Sequence, residues 1–139
     1  MYTNTLKLNN GVEIPQLGLG TWFIDDDKVA DAVKAAVEIG YRHIDTAQAY
    51  GNERGVGEGV RTCGIPREEL FVVSKVAAEH KTYEDAARSI NETLEKMGLD
   101  YLDMMIIHSP QPWVEVNQSE NRYVEGNRAA WKALEDAYK

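Results

Sequence analysis

The chain has 139 residues, 43% hydrophobic and 27% charged, with one cysteine and a net charge of −8. That composition suits one domain able to bury a core, and it excludes disordered, collagen-like and disulfide-stapled architectures. The negative charge argues against nucleic acid and anionic membrane surfaces as partners, and apolar runs such as Met104 to Ile107 are far too short to span a bilayer.

The opening segment Met1-Tyr2-Thr3-Asn4-Thr5 lacks the charged and apolar regions of a signal peptide. Cys63 has no partner for an internal disulfide, so a reducing cytoplasm is the expected compartment. A lone cysteine at a helix end reads as inert filler rather than a reactive thiol. Residues 5–14 read as a hairpin: Thr5-Leu6-Lys7-Leu8 alternates, Asn10-Gly11 signals a two-residue turn, Val12-Glu13-Ile14 returns, and Pro15 ends it.

Four strand–helix units follow. The first strand is Leu17 to Gly20. Its helix starts near Asp25 or Asp26, either able to cap it, with Val29, Ala30, Val33, Ala36 and Val37 at helical spacing and Gly40 closing it. The second strand is Arg42 to Asp45, and its helix starts near Asn52, carries Val56 and Val60 and stops at Gly64. The third strand is Leu70 to Lys75. Thr82-Tyr83-Glu84-Asp85 then resembles a capping box, Ala86, Ala87, Ile90, Leu94 and Met97 mark an apolar face, and Gly98 caps the end. The fourth strand is Leu102 to His108. After a long polar segment a helix runs from about Gly126, with Ala130, Leu134 and Tyr138 in register and no stop signal. Strict alternation predicts an α/β fold with parallel strands and right-handed crossovers. The continuously apolar runs Leu70-Phe71-Val72-Val73 and Met104-Met105-Ile106-Ile107 read as strands buried on both faces.

Ligand sites in such folds lie beyond the carboxyl ends of the strands. Asp45, Lys75 and His108 end three of the strands, and Tyr50 lies in the loop after the second. Singly, each has an ordinary structural reading: a turn cap, a solvated rim charge, a satisfied histidine, a packed ring. Their shared rim points to a site. The types also fit one reaction. A carbonyl being reduced takes a hydride at carbon and a proton at oxygen. A tyrosine can give that proton if a neighbouring ammonium favours the phenolate, because a free phenol has a pKa of about 10. Lys75 is the candidate ammonium, Asp45 its carboxylate anchor, and His108 a donor that orients the carbonyl oxygen. No metal is called for.

Gly40-Tyr41-Arg42-His43-Ile44-Asp45-Thr46-Ala47, with Tyr50-Gly51-Asn52-Glu53 and Val56-Gly57, resembles the first signature of the aldo-keto reductases. Gly18-Leu19-Gly20-Thr21-Trp22, Val73-Ser74-Lys75, and Leu102-Asp103 followed by Ile106-Ile107-His108 resemble that family too. The resemblance implies a (β/α)8 TIM barrel whose bottom is plugged by an N-terminal hairpin, with the chain as its N-terminal half. It implies NADPH, or less often NADH, as cofactor and a small-molecule carbonyl compound as substrate. It implies Asp45, Tyr50, Lys75 and His108 as catalytic tetrad, Gly20, Thr21, Trp22 and Asp45 near the nicotinamide, and Trp22, Gln48, His108 and Trp113 near the substrate. Asn52 reads better as a helix cap. Two departures reshape the pocket the family would have: Ala77 stands two residues after the lysine, and Ser109-Pro110 follows the histidine, where many members carry tryptophan. The family's second half, with strands five to eight, the Ser-Asn pair and the Gln that hold the carboxamide, and the loop for the adenosine 2′-phosphate, has no counterpart in this chain.

The length itself is too short for a complete barrel, which needs roughly 200–250 residues or more. The leading expectation is therefore an NADP-dependent aldo-keto reductase, present as a truncated form and inactive alone. The alternatives are an inactive half-barrel that dimerises or pairs with a chain carrying the missing half, a cofactor-binding subunit without turnover, and a Schiff-base enzyme using Lys75.

Overall fold

Four parallel strands, each followed by a helix, make up the body of the protein in a computed structural model that describes residues 3–139. Met1 and Tyr2, at the head of the segment without a signal-peptide pattern, lie outside the described residues. Strands β1 (Thr5–Lys7) and β2 (Glu13–Pro15) pair antiparallel as the hairpin. Then come β3 (Gly18–Gly20), α1 (Val29–Glu38), β4 (His43–Asp45), α2 (Glu53–Thr62), β5 (Phe71–Val76), α3 (Tyr83–Met97), β6 (Met104–Ile107) and α4 (Val124–Tyr138). The sheet order is β3-β4-β5-β6, every pair parallel. Each strand thus lies beside its predecessor, the succession of one half of a (β/α)8 barrel.

Several local expectations are corrected. The hairpin turn spans three residues, not two: Gly11 N–H donates to Leu8 O at 2.9 Å and Leu8 N–H to Val12 O at 2.8 Å. Gly11 takes φ +88°, the left-handed position that follows a type I turn in such loops. Pro15 does end β2, paired opposite Thr5, where an edge strand tolerates its missing N–H. Neither Asp25 nor Asp26 caps α1 with its side chain. Asp26 instead accepts from Gly55 N–H at 2.7 Å, so it caps the first turn of α2 from another part of the chain. Asn52 stands at the N-cap position of α2 but its side chain makes no cap bond, because its amide is used between loops. Thr82 does cap α3, accepting from Asp85 N–H at 3.1 Å, and Gly98 closes that helix at φ +64°. Strand β5 is buried along almost its whole length, as its apolar run predicts. Strand β6 is not: it is the sheet edge, and Ile106 stays 38% exposed. On α4 the buried residues are Ala130 and Ala133, whereas Tyr138 is 84% exposed and leaves the expected register. Among the described residues no helix is long and apolar enough to cross a membrane.

The larger core lies between the sheet and α1–α3: Val29, Val33, Val37, Ile44, Val56, Val60, Leu70, Val72 and Met97. Each such side chain contributes about 1.5–3 kcal/mol by leaving water. Helix α2 approaches its neighbours through glycines. A Cβ at Gly59 would stand 2.7 Å from Val33 Cβ on α1, and one at Gly57 would collide with the backbone carbonyl of Met97 at the end of α3. Gly55, Gly57 and Gly59 therefore form a packing face of α2. Gly57→Ala is expected to cost about 2–3 kcal/mol, because backbone must yield to admit the methyl. Denaturant unfolding measures this, and an unchanged midpoint would refute the contact.

Candidate active site

The end of β4 and the end of β5 meet through an ion pair. Side chains alternate along β5, so Val76 packs under α3 and α4 while Lys75 points to the opposite face. There Lys75 Nζ donates to both carboxylate oxygens of Asp45, at 2.7 and 2.8 Å, and to Thr46 O at 2.9 Å. Its side chain is 11% exposed and that of Asp45 is 32% exposed. The Asp45 carbonyl is held from the other side by the N–H and hydroxyl of Thr21, at 3.1 and 2.9 Å. Asn52 locks the same corner. It accepts from the Thr46 hydroxyl at 2.7 Å and donates to Thr21 O and Ile24 O.

Tyr50 ends a single 3-10 turn, Gln48–Tyr50, that leaves β4. Its hydroxyl stands 3.4 Å from Lys75 Nζ. The ammonium is thus committed to Asp45, Thr46 and Tyr50, which is the state of a fixed cation rather than of a free amine nucleophile. That weakens the Schiff-base reading. His108 follows β6 and is held there by its N–H on Val76 O at 3.0 Å. Its ring meets Tyr50 edge-on at 5.6 Å between centroids, and Trp113 at 4.9 Å. Trp22 lies nearly parallel to Tyr50 at 6.4 Å and stacks on Phe23 at 4.4 Å. Trp22, Ala49, Tyr50, His108 and Trp113 line a cavity of about 550 Å³, a size suited to a small organic ligand.

Burial holds the His108 pKa below the usual histidine value. The Lys75 charge adds to this, and Asp45 and Glu79 oppose it. The imidazole is therefore neutral at neutral pH and can donate a hydrogen bond from one ring nitrogen. Its Nδ1 is buried without a hydrogen-bond partner among the described residues.

The four residues expected to act together do gather at one rim. Trp22 and Trp113 are cavity walls, and Gly20 opens onto free space beside Asp45, its partner in the sheet register. Two residues stand apart from the cavity walls. Thr21 is fully buried and spends its hydroxyl on the Asp45 carbonyl, which it steadies. Gln48 turns away from the cavity: it accepts from Ala77 N–H at 2.7 Å and donates to Ser89 O and Thr93 Oγ1, both at 3.1 Å. Both amide protons and one lone pair of the carboxamide are thus spent on α3 and on the backbone just after β5.

Gln111 and Glu53 are buried polar residues to which the sequence assigns no role. Gln111 ties the long loop together by donating to Ser119 O and Asn121 O and accepting from Asn117 N–H. Glu53 is 3% exposed at the start of α2. Its spacing from Val56 and Val60, three and seven residues on, places it on their apolar face, and that was the available signal. Burial pushes its pKa up, against the bonds from Ser74 and Thr93 and the charge of Lys96.

The sequence profile of the Aldo/keto reductase family matches residues 16–139. The 9,11-endoperoxide prostaglandin H2 reductase of Trypanosoma cruzi (strain CL Brener) is 43% identical over 136 residues, which cover 97% of this chain and 44% of that protein. The glyoxal reductase of Bacillus subtilis (strain 168) is 42% identical over 137 residues, covering 98% of this chain and 45% of the relative. A crystal structure of the Bombyx mori aldo-keto reductase in complex with NADP superposes with a TM-score of 0.80 at 33% identity, over 99% of this chain and 47% of that one. The chain spans less than half the length of each of these three proteins.

Proposed function

The chain belongs to the aldo/keto reductase family, and from that premise we propose that it carries the proton-transfer half of an NADPH-dependent carbonyl reductase. The observation that carries this reading is Lys75, clamped by Asp45 and facing the Tyr50 hydroxyl at the mouth of an aromatic cavity. We read residues 1–139 as one partial-barrel domain acting in the cytoplasm on small aldehydes and ketones. The glyoxal reductase among its relatives supports an aldehyde substrate, and the NADP complex of the Bombyx mori protein supports the cofactor.

The residues present fit the nicotinamide end of that cofactor. Gly20 presents open backbone at the rim, and the exposed Trp22 ring forms a flat apolar surface next to the phenol. NADPH, when bound, supplies the hydride that the carbonyl carbon accepts. Tyr50 donates the proton to the carbonyl oxygen and is left as a phenolate. The Lys75 ammonium stabilises that phenolate, and Asp45 keeps the ammonium aimed at it. His108, neutral, donates a hydrogen bond that orients the same oxygen. Trp22 and Trp113 hold the rest of the substrate out of water. Sustained NADPH oxidation with nitrobenzaldehyde by the full-length protein tests the reading, and its absence would overturn it.

A second reading concerns the chain by itself. Strands β3 and β6 are open edges, and Ile106, Trp22 and Phe23 stay exposed. Unpaired parallel edges with apolar faces favour association, with a second copy or with a chain supplying the rest of a barrel. Light scattering on the purified chain is expected to give a mass above 15.6 kDa. A stable monomer at that mass would refute it.

A further inference from the structure

We propose that Glu53, a buried carboxyl group outside the cavity, is a positioning residue that sets how Lys75 and Tyr50 stand toward each other. The proposal rests on the reductase reading only for its kinetic consequence; its geometry stands apart. Glu53 is 3% exposed and forms none of the ion pairs found among the described residues. A buried carboxyl group without an ion-pair partner in contact costs several kcal/mol of desolvation unless hydrogen bonds replace the water. Those bonds come from two places that matter to the site.

The first is β5. Ser74 donates its hydroxyl proton to Glu53 Oε1 at 2.6 Å, and Ser74 immediately precedes Lys75. Strand alternation sends the two side chains to opposite faces, so Glu53 holds the strand from behind at the point where Lys75 emerges in front. The second is the turn that carries Tyr50. Thr93 donates its one hydroxyl proton to Glu53, at 3.1 Å from Oε1 and 3.3 Å from Oε2. The same Thr93 oxygen accepts from Gln48 Nε2 at 3.1 Å. Gln48 begins the Gln48–Tyr50 turn, and its carbonyl accepts from Ala77 N–H at 2.7 Å just beyond the end of β5. The chain of donors has one direction, Gln48 to Thr93 to Glu53, and only an acceptor can end it. One carboxyl group therefore anchors both the strand bearing the ammonium and the turn bearing the phenol. The Lys75–Tyr50 contact is 3.4 Å, long for a hydrogen bond, so small displacements decide whether it forms.

Thr93→Val keeps the shape of the side chain and cuts the link between Gln48 and Glu53. Gln48 retains its bond to Ser89 O, so the fold is expected to survive. With the ring carbons of tyrosine isotope-labelled, and Tyr50 assigned by its loss in Tyr50→Phe, the Tyr50 resonance is expected to move and broaden. Thr93→Ser, which restores the hydroxyl, is expected to return it to the wild-type position. Ser74→Ala cuts the other arm and is expected to move the Lys75 Nζ resonance. In the NADPH and nitrobenzaldehyde assay Thr93→Val is expected to lower kcat about tenfold with KM unchanged, because the contact acts in proton transfer and not in ground-state binding. Wild-type resonances for Tyr50 in Thr93→Val and for Lys75 in Ser74→Ala would overturn the proposal. A wild-type protein that oxidises no NADPH would overturn the reductase reading alone, and the two resonances would still decide the role of Glu53.

Discussion

Tyr50→Phe is expected to lower kcat for carbonyl reduction about 10²–10⁴-fold, the range lost with a general acid, and to leave the fold intact. The phenol oxygen makes its one observed hydrogen bond with Lys75, and the ring alone makes the contacts with Trp22 and His108. Phenylalanine keeps those ring contacts and removes only the hydroxyl. Thermal unfolding should therefore shift little while turnover collapses. Steady-state kinetics with NADPH and an aromatic aldehyde measure the effect. Normal turnover by Tyr50→Phe would show that another group delivers the proton, and the assignment of the tetrad would fall with it.

Lys75→Met has the second large effect, and it reaches stability as well as chemistry. Methionine fills similar volume but leaves the Asp45 carboxylate, about one-third exposed, without its counter-charge. The loss is expected to be about 2 kcal/mol, below that for a fully buried pair because water still reaches Asp45. Turnover is expected to fall with it, since nothing then stabilises the phenolate. A third readout separates charge from packing. Lys75 is the second cause, after burial, that holds His108 below its ordinary pKa. In Lys75→Met the His108 titration, followed by NMR, is expected to move upward, because a cation near the imidazole is removed while Asp45 and Glu79 remain. An unmoved titration would mean that the Lys75 charge does not reach the imidazole.

Much of this site was legible along the chain because it is written at strand ends. Asp45, Lys75 and His108 each stand within one residue of a strand end, and parallel strands bring their ends to one rim whatever the details of packing. The short-range signals that failed share one cause. Local sequence makes Asp26 and Asn52 helix caps, and the family resemblance puts Gln48 near the substrate. Each spends its hydrogen bonds on residues far away in sequence: Asp26 on Gly55, Asn52 on Thr21 and Ile24, Gln48 on Ala77, Ser89 and Thr93. The Asn10-Gly11 turn failed more mildly. Gly11 does take the left-handed conformation, but one position later in the loop than a two-residue turn requires.

Hydrophobic period and turn chemistry, which are local, determined the hairpin, the four strand–helix units, their parallel order and the rim on which Asp45, Tyr50, Lys75 and His108 stand. Tertiary structure decided where burial departs from the hydrophobic pattern. It made β6 an edge in spite of its apolar run, and it turned the glycines of α2 into a packing surface against α1 and α3. It also decided what each polar side chain is for, because a buried donor takes the acceptor nearest in space. Gln48 and Glu53 both find Thr93, at 45 and 40 residues' separation, and nothing in the local sequence of either encodes that meeting.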